Sequence, residues 1–180
     1  MEIQQAIEIR RSIYGDRPVE REKLEAVLRA GNQAPIFGRL HMSVFAGPEQ
    51  LQAVDAAAVA GMARSGVPFL ENLAAQEGYH PLYGAAALVV LSAPGGLDEK
   101  GFNMANVSCA AENMLLAAAG LGLGSCFLMG PMAAFSDPAL RARLELPGGY
   151  EPLVGVALGY AALERPVAPE RTDAGITWCR

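Results

Sequence analysis

Residues 113–136, NMLLAAAGLGLGSCFLMGPMAAFS, carry no charged side chain, and this stretch limits the possible folds more than any other part of the chain. An uncharged run of this length either crosses a bilayer or lies inside a protein core. Glycines at 120, 122, 124 and 130 and a proline at 131 interrupt it, and Glu112 stands immediately before it. Glycine and proline break the continuous helix that a span requires. The first half therefore reads as a buried helix, and the second as a tight turn leading into a strand. The expectation is protein core and no membrane association.

The pattern extends in both directions. The helix reaches back to Asn106 and is apolar nearly all round, as a central element would be. Residues 2–10 read as a short helix and 20–30 as a second one. Leu24, Val27 and Leu28 give the second helix an apolar stripe, and Gly31 reads as its stop. Leu40 to Ala46 alternates as a strand closed by Gly47-Pro48, and a helix follows over 49–62. Residues 64–83 fit helical pieces and loops. Ala86 to Ser92 is a continuous apolar run, the mark of a strand buried on both faces. Cys126 to Met129 reads as a short strand, Leu140 to Leu144 as a short helix and Leu153 to Tyr160 as a last strand. Helices thus precede, separate and follow about four short strands, which predicts an α+β fold rather than a regular βαβ series. The 180 residues suit one domain over 1–180.

Composition removes several function classes. The net charge is −5 with a pI near 5.1, and the basic residues form no dense run, which argues against nucleic acid. Cys109, Cys126 and Cys179 are odd in number and form no CxxC pair. A disulfide framework or structural zinc is therefore not expected, and a reducing, cytoplasmic setting is. With only His41 and His80, a histidine-rich metal site is hard to build, so no metal is expected. The opening MEIQQAIEIRR reads as a polar-apolar helix and not as a signal peptide. Apolar residues make up 52% of the chain, and the surplus is mostly alanine, which suits closely packed helices and an apolar subunit interface.

Three segments could carry chemistry. Arg10-Arg11-Ser12 offers two guanidinium groups and a hydroxyl where the first helix ends. In an extended turn Arg10 and Ser12 would share one side, and arginine's planar fork matches phosphate oxygens in pairs. The same residues could equally be an exposed basic helix end facing its own dipole. Gly120-Leu-Gly-Leu-Gly124 is no dinucleotide fingerprint, because its glycines follow a helix and lead into a strand. It reads as a helix stop and a turn. Phe127 to Pro131 could present backbone groups to a flat heterocycle, with Gly130 allowing close approach, or could be a core strand leaving the sheet. Cys126 has small apolar neighbours and no nearby histidine, so it reads as a buried, inert thiol.

Five segments, taken in order, resemble the FMN-dependent nitroreductase family. They are IEIRRSIYGDRPV at 7–19, AGNQAPIFGRLHMSVFAG at 30–47, YGAAALVVLSA at 83–93, ANVSCAAENMLLAAAGLGLGSCFLMG at 105–130 and LPGGYEPLVGVALGY at 146–160. The resemblance implies a nitroreductase-like α+β fold, with a central, mostly antiparallel sheet flanked by helices, in an intertwined homodimer with flavin sites at the interface. It implies that Arg10, Arg11 and Ser12 hold the FMN phosphate, ribityl chain and pyrimidine edge, and that Leu128, Met129 and Gly130 face the reactive edge of the ring. Arg171 falls where the family often supplies a further phosphate contact. The Ala34–His41 loop, with Arg39 and His41, would reach the flavin held by the partner subunit. That loop departs from the family pattern: Ile36, Arg39 and His41 stand where many members have Ser or Thr, Asn and Gln. Ala86 also replaces a proline.

The function implied is hydride transfer from NADH or NADPH through FMN to a small acceptor such as a nitroaromatic or a quinone. The flavin carries the chemistry and no protein residue is expected to be catalytic. A flavin-binding storage or sensing module, another flavin-dependent branch of the family and a cofactor-free interaction protein are the other classes the sequence allows.

Overall fold

The apolar run in the middle of the chain forms β2 (Ala87–Pro94), and the other elements are arranged about it. The computed structural model describes residues 2–10, 12, 15, 17–95, 100–160 and 174–179. Among these, four strands make one antiparallel sheet in the order β1-β2-β4-β3, with β1 at His41–Phe45, β3 at Gly124–Leu128 and β4 at Tyr150–Gly159. Register is set by pairs such as Val44↔Val89, Val89↔Val156 and Phe127↔Val156. The helices are α1 (Ile3–Ile9), α2 (Arg21–Gly31), α3 (Pro48–Met62), α4 (Pro68–Ala74), α5 (Lys100–Gly120) and α6 (Pro138–Ala142), with a 3-10 helix over Gly130–Ser136.

Successive β2 side chains point to opposite faces, and both faces are covered. Ala87, Val89 and Leu91 pack with Leu24 and Val27 of α2 and Val107, Ala111, Met114 and Ala118 of α5. Leu88 and Val90 pack with Leu51, Val54 and Ala58 of α3, with Phe135 of the 3-10 helix, and with Leu140 and Leu144. The result is three layers, helix–sheet–helix. Burying each such Leu or Val contributes roughly 1.5–3 kcal/mol, so this strand and its two covers are the main apolar store of the fold.

The glycine run ends α5 as expected, and the structure supplies the detail. Leu123 N–H donates to the Ala118 carbonyl at 2.9 Å and Gly122 N–H to that of Ala119 at 3.1 Å, with Gly122 at φ +76°. This is a Schellman cap, which satisfies two carbonyls the helix would otherwise leave open. Leu123 is buried immediately after it, so the turn delivers β3 against the helix that it has just left.

Three expectations are corrected. Gly31 lies inside α2 as its last residue and is not the stop beyond it. Its role is close packing, since a Cβ there would sit 2.9 Å from both Met114 and Met42. The third strand ends at Leu128, and the next residues coil into the 3-10 helix because Pro131 cannot donate to a sheet ladder. Cys126 is partly exposed, with its thiol directed at the Phe127 carbonyl at 3.5 Å, so it is less buried than its neighbours suggested. Within the ambiguous 64–83 stretch, one short helix, α4, begins at Pro68.

The 3-10 helix is pressed onto α3 at Gly61, where a Cβ would lie 2.3 Å from the Ala133 carbonyl oxygen. Backbone on both sides leaves nothing to move aside. Gly61→Ala is expected to cost about 1–3 kcal/mol through overpacking and to lower the thermal midpoint. An unchanged midpoint in a calorimetric scan would show that the two helices can separate freely.

Candidate functional site

The first candidate segment starts where α1 stops. Arg10 is the cap residue of α1, with backbone torsions of φ −54° and ψ 130°, and its N–H donates to the Ala6 carbonyl. Its guanidinium is partly buried and sits 3.7 Å from the Glu112 carboxylate on α5. Sequence proximity gave no hint of that carboxylate, which comes from more than a hundred residues away. Ser12 is exposed. Arg11 and Arg171 lie outside the described residues.

The segment that follows is clamped to the end of the sheet. Gly15 N–H donates to the Tyr160 carbonyl at 2.6 Å. The Tyr160 hydroxyl accepts from Lys23 and donates to Glu20, and the Arg17 guanidinium lies 3.8 Å from the centre of the Tyr160 ring. Tyr160 thus carries a cation on its face and two charged groups on its hydroxyl. The Tyr160 hydrogen bond, chiefly, with help from the positive Lys23 and Arg17, holds the Glu20 carboxyl below its ordinary value.

The second segment, Leu128–Gly130, stands at the end of β3. Leu128 is buried in the α3-side core, Met129 is 57% exposed, and Gly130 opens the 3-10 helix with only the Met62 thioether near its Cβ position, at 3.6 Å. The end of the strand is therefore fixed from beneath and open above.

The third is the 34–41 loop, which α5 holds by an unanticipated clamp. Asn106 accepts from the Phe37 N–H at 3.1 Å and donates to the Phe37 carbonyl, so one side-chain amide satisfies both backbone groups of that residue. Gly38, at φ +102°, turns the chain immediately afterwards. Asn103, one turn earlier on α5, donates to the Pro94 carbonyl at 2.6 Å. Phe37, Gly38, Arg39, Pro94, Phe102 and Asn103 together line a cavity of about 490 Å³. His41 leaves this loop for the sheet, where its Nε2 and the Ser43 hydroxyl meet the Leu144 carbonyl at 3.1 and 2.8 Å. The sequence did carry one signal for the clamp: Asn103, Asn106 and Asn113 recur at helical spacing in an otherwise apolar helix, and Asn113 likewise donates to the Ala30 carbonyl.

A further polar pair lies elsewhere. Asp55 accepts from the Leu82 N–H and contacts His80 Nδ1, both at 2.8 Å, beside a cavity of about 290 Å³ with no serine, threonine or cysteine among its described lining residues. A carboxylate-oriented imidazole without a nucleophile is half of a triad and anchors the loop to α3. Among the described residues no group of three His, Cys, Asp or Glu is placed to bind a metal, and no helix is long and apolar enough to cross a membrane.

The three segments have different surroundings: Arg10 meets the Glu112 carboxylate on α5, Arg39 lines the cavity with Phe102, and Leu128 packs in the α3-side core. This arrangement is that of an α+β protein with a four-stranded antiparallel sheet covered by helices. The chain belongs to the Nitroreductase family, which matches residues 7–160. Among solved structures it is similar to a nitroreductase with bound FMN from Bacteroides fragilis NCTC 9343, at TM-score 0.85 and 28% identity over 100% of both chains. A nitroreductase with bound FMN from Desulfitobacterium hafniense DCB-2 superposes at TM-score 0.83 and 22% identity, over 99% of this chain and 100% of that one. An FMN-dependent nitroreductase from Clostridium difficile R20291 does so at 0.80 and 18%, over 98% and 99%. The last two show the shared fold.

The Glu20–Tyr160–Lys23 cluster gives a pH test. A carboxyl whose value is lowered on folding contributes stability above its unfolded value of 4.5 and loses it as pH falls through the lower folded value. Glu20→Gln is therefore expected to be less stable than the parent near neutral pH, with the gap closing in acid below 4.5. Thermal midpoints across pH check this, and a gap that persists in strong acid would remove the carboxylate from the explanation.

Proposed function

We propose that the protein is an FMN-dependent oxidoreductase that works as a homodimer with flavin sites at the subunit interface. The observation that carries this is the end-to-end similarity to the FMN-bound Bacteroides fragilis protein at 28% identity. The donor set fits such a group. Arg10 supplies a partly buried guanidinium positioned by Glu112, Ser12 supplies an exposed hydroxyl two residues on, and the end of β3 is open at Met129. Arg10, Arg11 and Ser12, with Arg171, would hold the phosphate, ribityl and pyrimidine side. Leu128, Met129 and Gly130 would lie along the ring. Arg39 and His41 would come from the partner's loop, with His41 already directing Nε2 to the Leu144 carbonyl.

Bound FMN would supply reversible two-electron chemistry, accepting hydride from NADH or NADPH and passing it to a small acceptor such as a nitroaromatic or quinone. The protein's residues bind, orient and provide charge. A guanidinium beside the pyrimidine edge favours the negative charge that develops there on reduction. The dimer reading draws support from membership of the Nitroreductase family. It also draws on exposed Ile3 and Ile7 on α1, of which Ile3 lines a groove of about 370 Å³ together with Ala6, Ala30, Leu116 and Ala117.

Freshly purified protein, or protein incubated with FMN, is expected to be yellow with a flavin spectrum and to oxidise NAD(P)H steadily with a nitroaromatic or quinone. A colourless preparation after incubation overturns the proposal, and a yellow one without turnover favours a binding module. Losing charge-assisted hydrogen bonds of about 1.5–3 kcal/mol each means that Arg10→Ala with Ser12→Ala should weaken FMN binding roughly ten- to a hundredfold. Unchanged flavin affinity in a fluorescence titration would remove the phosphate from this end of the chain.

A further inference from the structure

The cavity beside the 34–41 loop combines features that a purely structural surface does not need. Phe37 and Phe102 are 85% and 70% exposed, yet both line this space, and neither ring is used to fill the core. The backbone that carries Phe37 is held by Asn106 on both its N–H and its carbonyl, while Asn103, itself buried, fixes the opposite wall through the Pro94 carbonyl. The rings are therefore displayed from a braced loop and from the first turn of a long helix. At about 490 Å³ the cavity falls in the range of small-molecule sites, roughly 300–1,000 Å³.

Arg39 supplies its charge. Among the described residues it is the one ionisable side chain of the lining; it is exposed, and it forms no ion pair or hydrogen bond with any of them. The protein as a whole carries −5, so an anion approaching it meets general repulsion, against which this guanidinium provides local attraction. Two aromatic faces with a planar cation that no described residue pairs match one ligand chemistry: a flat aromatic ring bearing an acid group. The ring is received by the phenyl faces and the acid by the guanidinium fork.

We infer that this cavity binds aromatic carboxylates, with Arg39 as the specificity-determining residue, so that the acceptor reduced at the proposed flavin site is an anionic arene. The inference rests on the flavin reading for the acceptor's fate, but binding at the cavity does not require it. The test is calorimetric titration of the purified protein, incubated with FMN, with 4-nitrobenzoate and with 4-nitrobenzamide. The two probes share ring, nitro group and size and differ in charge. The benzoate is expected to bind at least about tenfold more tightly than the amide, the scale of one charge-assisted contact.

Arg39→Gln should erase that preference. Arg39→Lys should retain part of it, because the charge survives and the planar fork does not. Phe102→Ala should weaken both probes alike. Equal binding of the two probes by the parent protein overturns the inference, as does a preference that survives in Arg39→Gln, or binding of both probes that is indifferent to Phe102→Ala. An Arg39→Gln protein that loses FMN while keeping the benzoate preference also overturns it, and assigns Arg39 to the flavin. Failure of the parent protein to take up FMN sinks the oxidoreductase reading alone, since calorimetry reads the cavity without colour or turnover.

Discussion

Burial of β2 on both faces is the constraint from which the other placements follow. A slip of one residue would drive Val89 and Leu91 out of the α2–α5 cover and into that of α3, where each would meet packing shaped for other side chains. The antiparallel neighbours β1 and β4 are thereby locked as well, and through them the ends of two candidate segments. The one polar group in this strand sits where the regularity breaks. Ser92 is buried without a hydrogen-bond partner among the described residues, at the register shift between Leu91 and Ser92 and opposite His41. An unsatisfied buried hydroxyl costs about 1–3 kcal/mol, and this one marks the end of the sheet beside the 34–41 loop.

Helix α5 translates that fixed sheet into positions for the loops. Its apolar side is consumed by the core, and its asparagines reach outward to three separate backbone carbonyls, those of Pro94, Phe37 and Ala30. Side-chain amides suit this use because each carries both a donor and an acceptor. Asn106 uses both on one residue, replacing a strand partner that Phe37 does not have. The same helix presents Glu112 to Arg10. Loops far apart in sequence are therefore spaced by the rise of one helix, and a shift of α5 would move the basic end of α1 and the Phe37–Arg39 loop together.

The scaffold was legible in the sequence because its signals are periodic or local. The continuous apolar run gave β2, the three-and-four stripe gave α2, and the glycine cluster gave the end of α5, each by a rule that operates within one segment. What escaped depends on contacts between segments. Nothing near Arg10 in sequence announces Glu112, and nothing near Phe37 announces Asn106. Gly31 looked like a stop because glycine often is one, whereas here close approach of Met114 and Met42 is what excludes a Cβ. The 3-10 helix after β3 was hidden by the apolar character of 130–136, which is equally compatible with a strand end. For the candidate site, the segments could be named from residue types, but their mutual distances could not. Arg11 and Arg171 fall outside the described residues.

Charge compensation separates the two arginine sites in a way that residue type does not. Arg10 faces a carboxylate at 3.7 Å on a neighbouring helix, so part of its field is cancelled before any ligand arrives, and its remaining value lies in directional N–H groups. Arg39 stands on a cavity that two aromatic rings also line, with no carboxylate among the described lining residues, and its field extends into that space. The first arrangement suits a group held in one orientation through hydrogen bonds. The second suits a ligand that must be selected by charge and then exchanged, because electrostatic attraction raises capture without demanding a single geometry. A cofactor that stays and an acceptor that comes and goes make those two demands. Under the proposed reading, the arginine in the 34–41 loop bears on which acceptor is taken more than on whether a flavin is held.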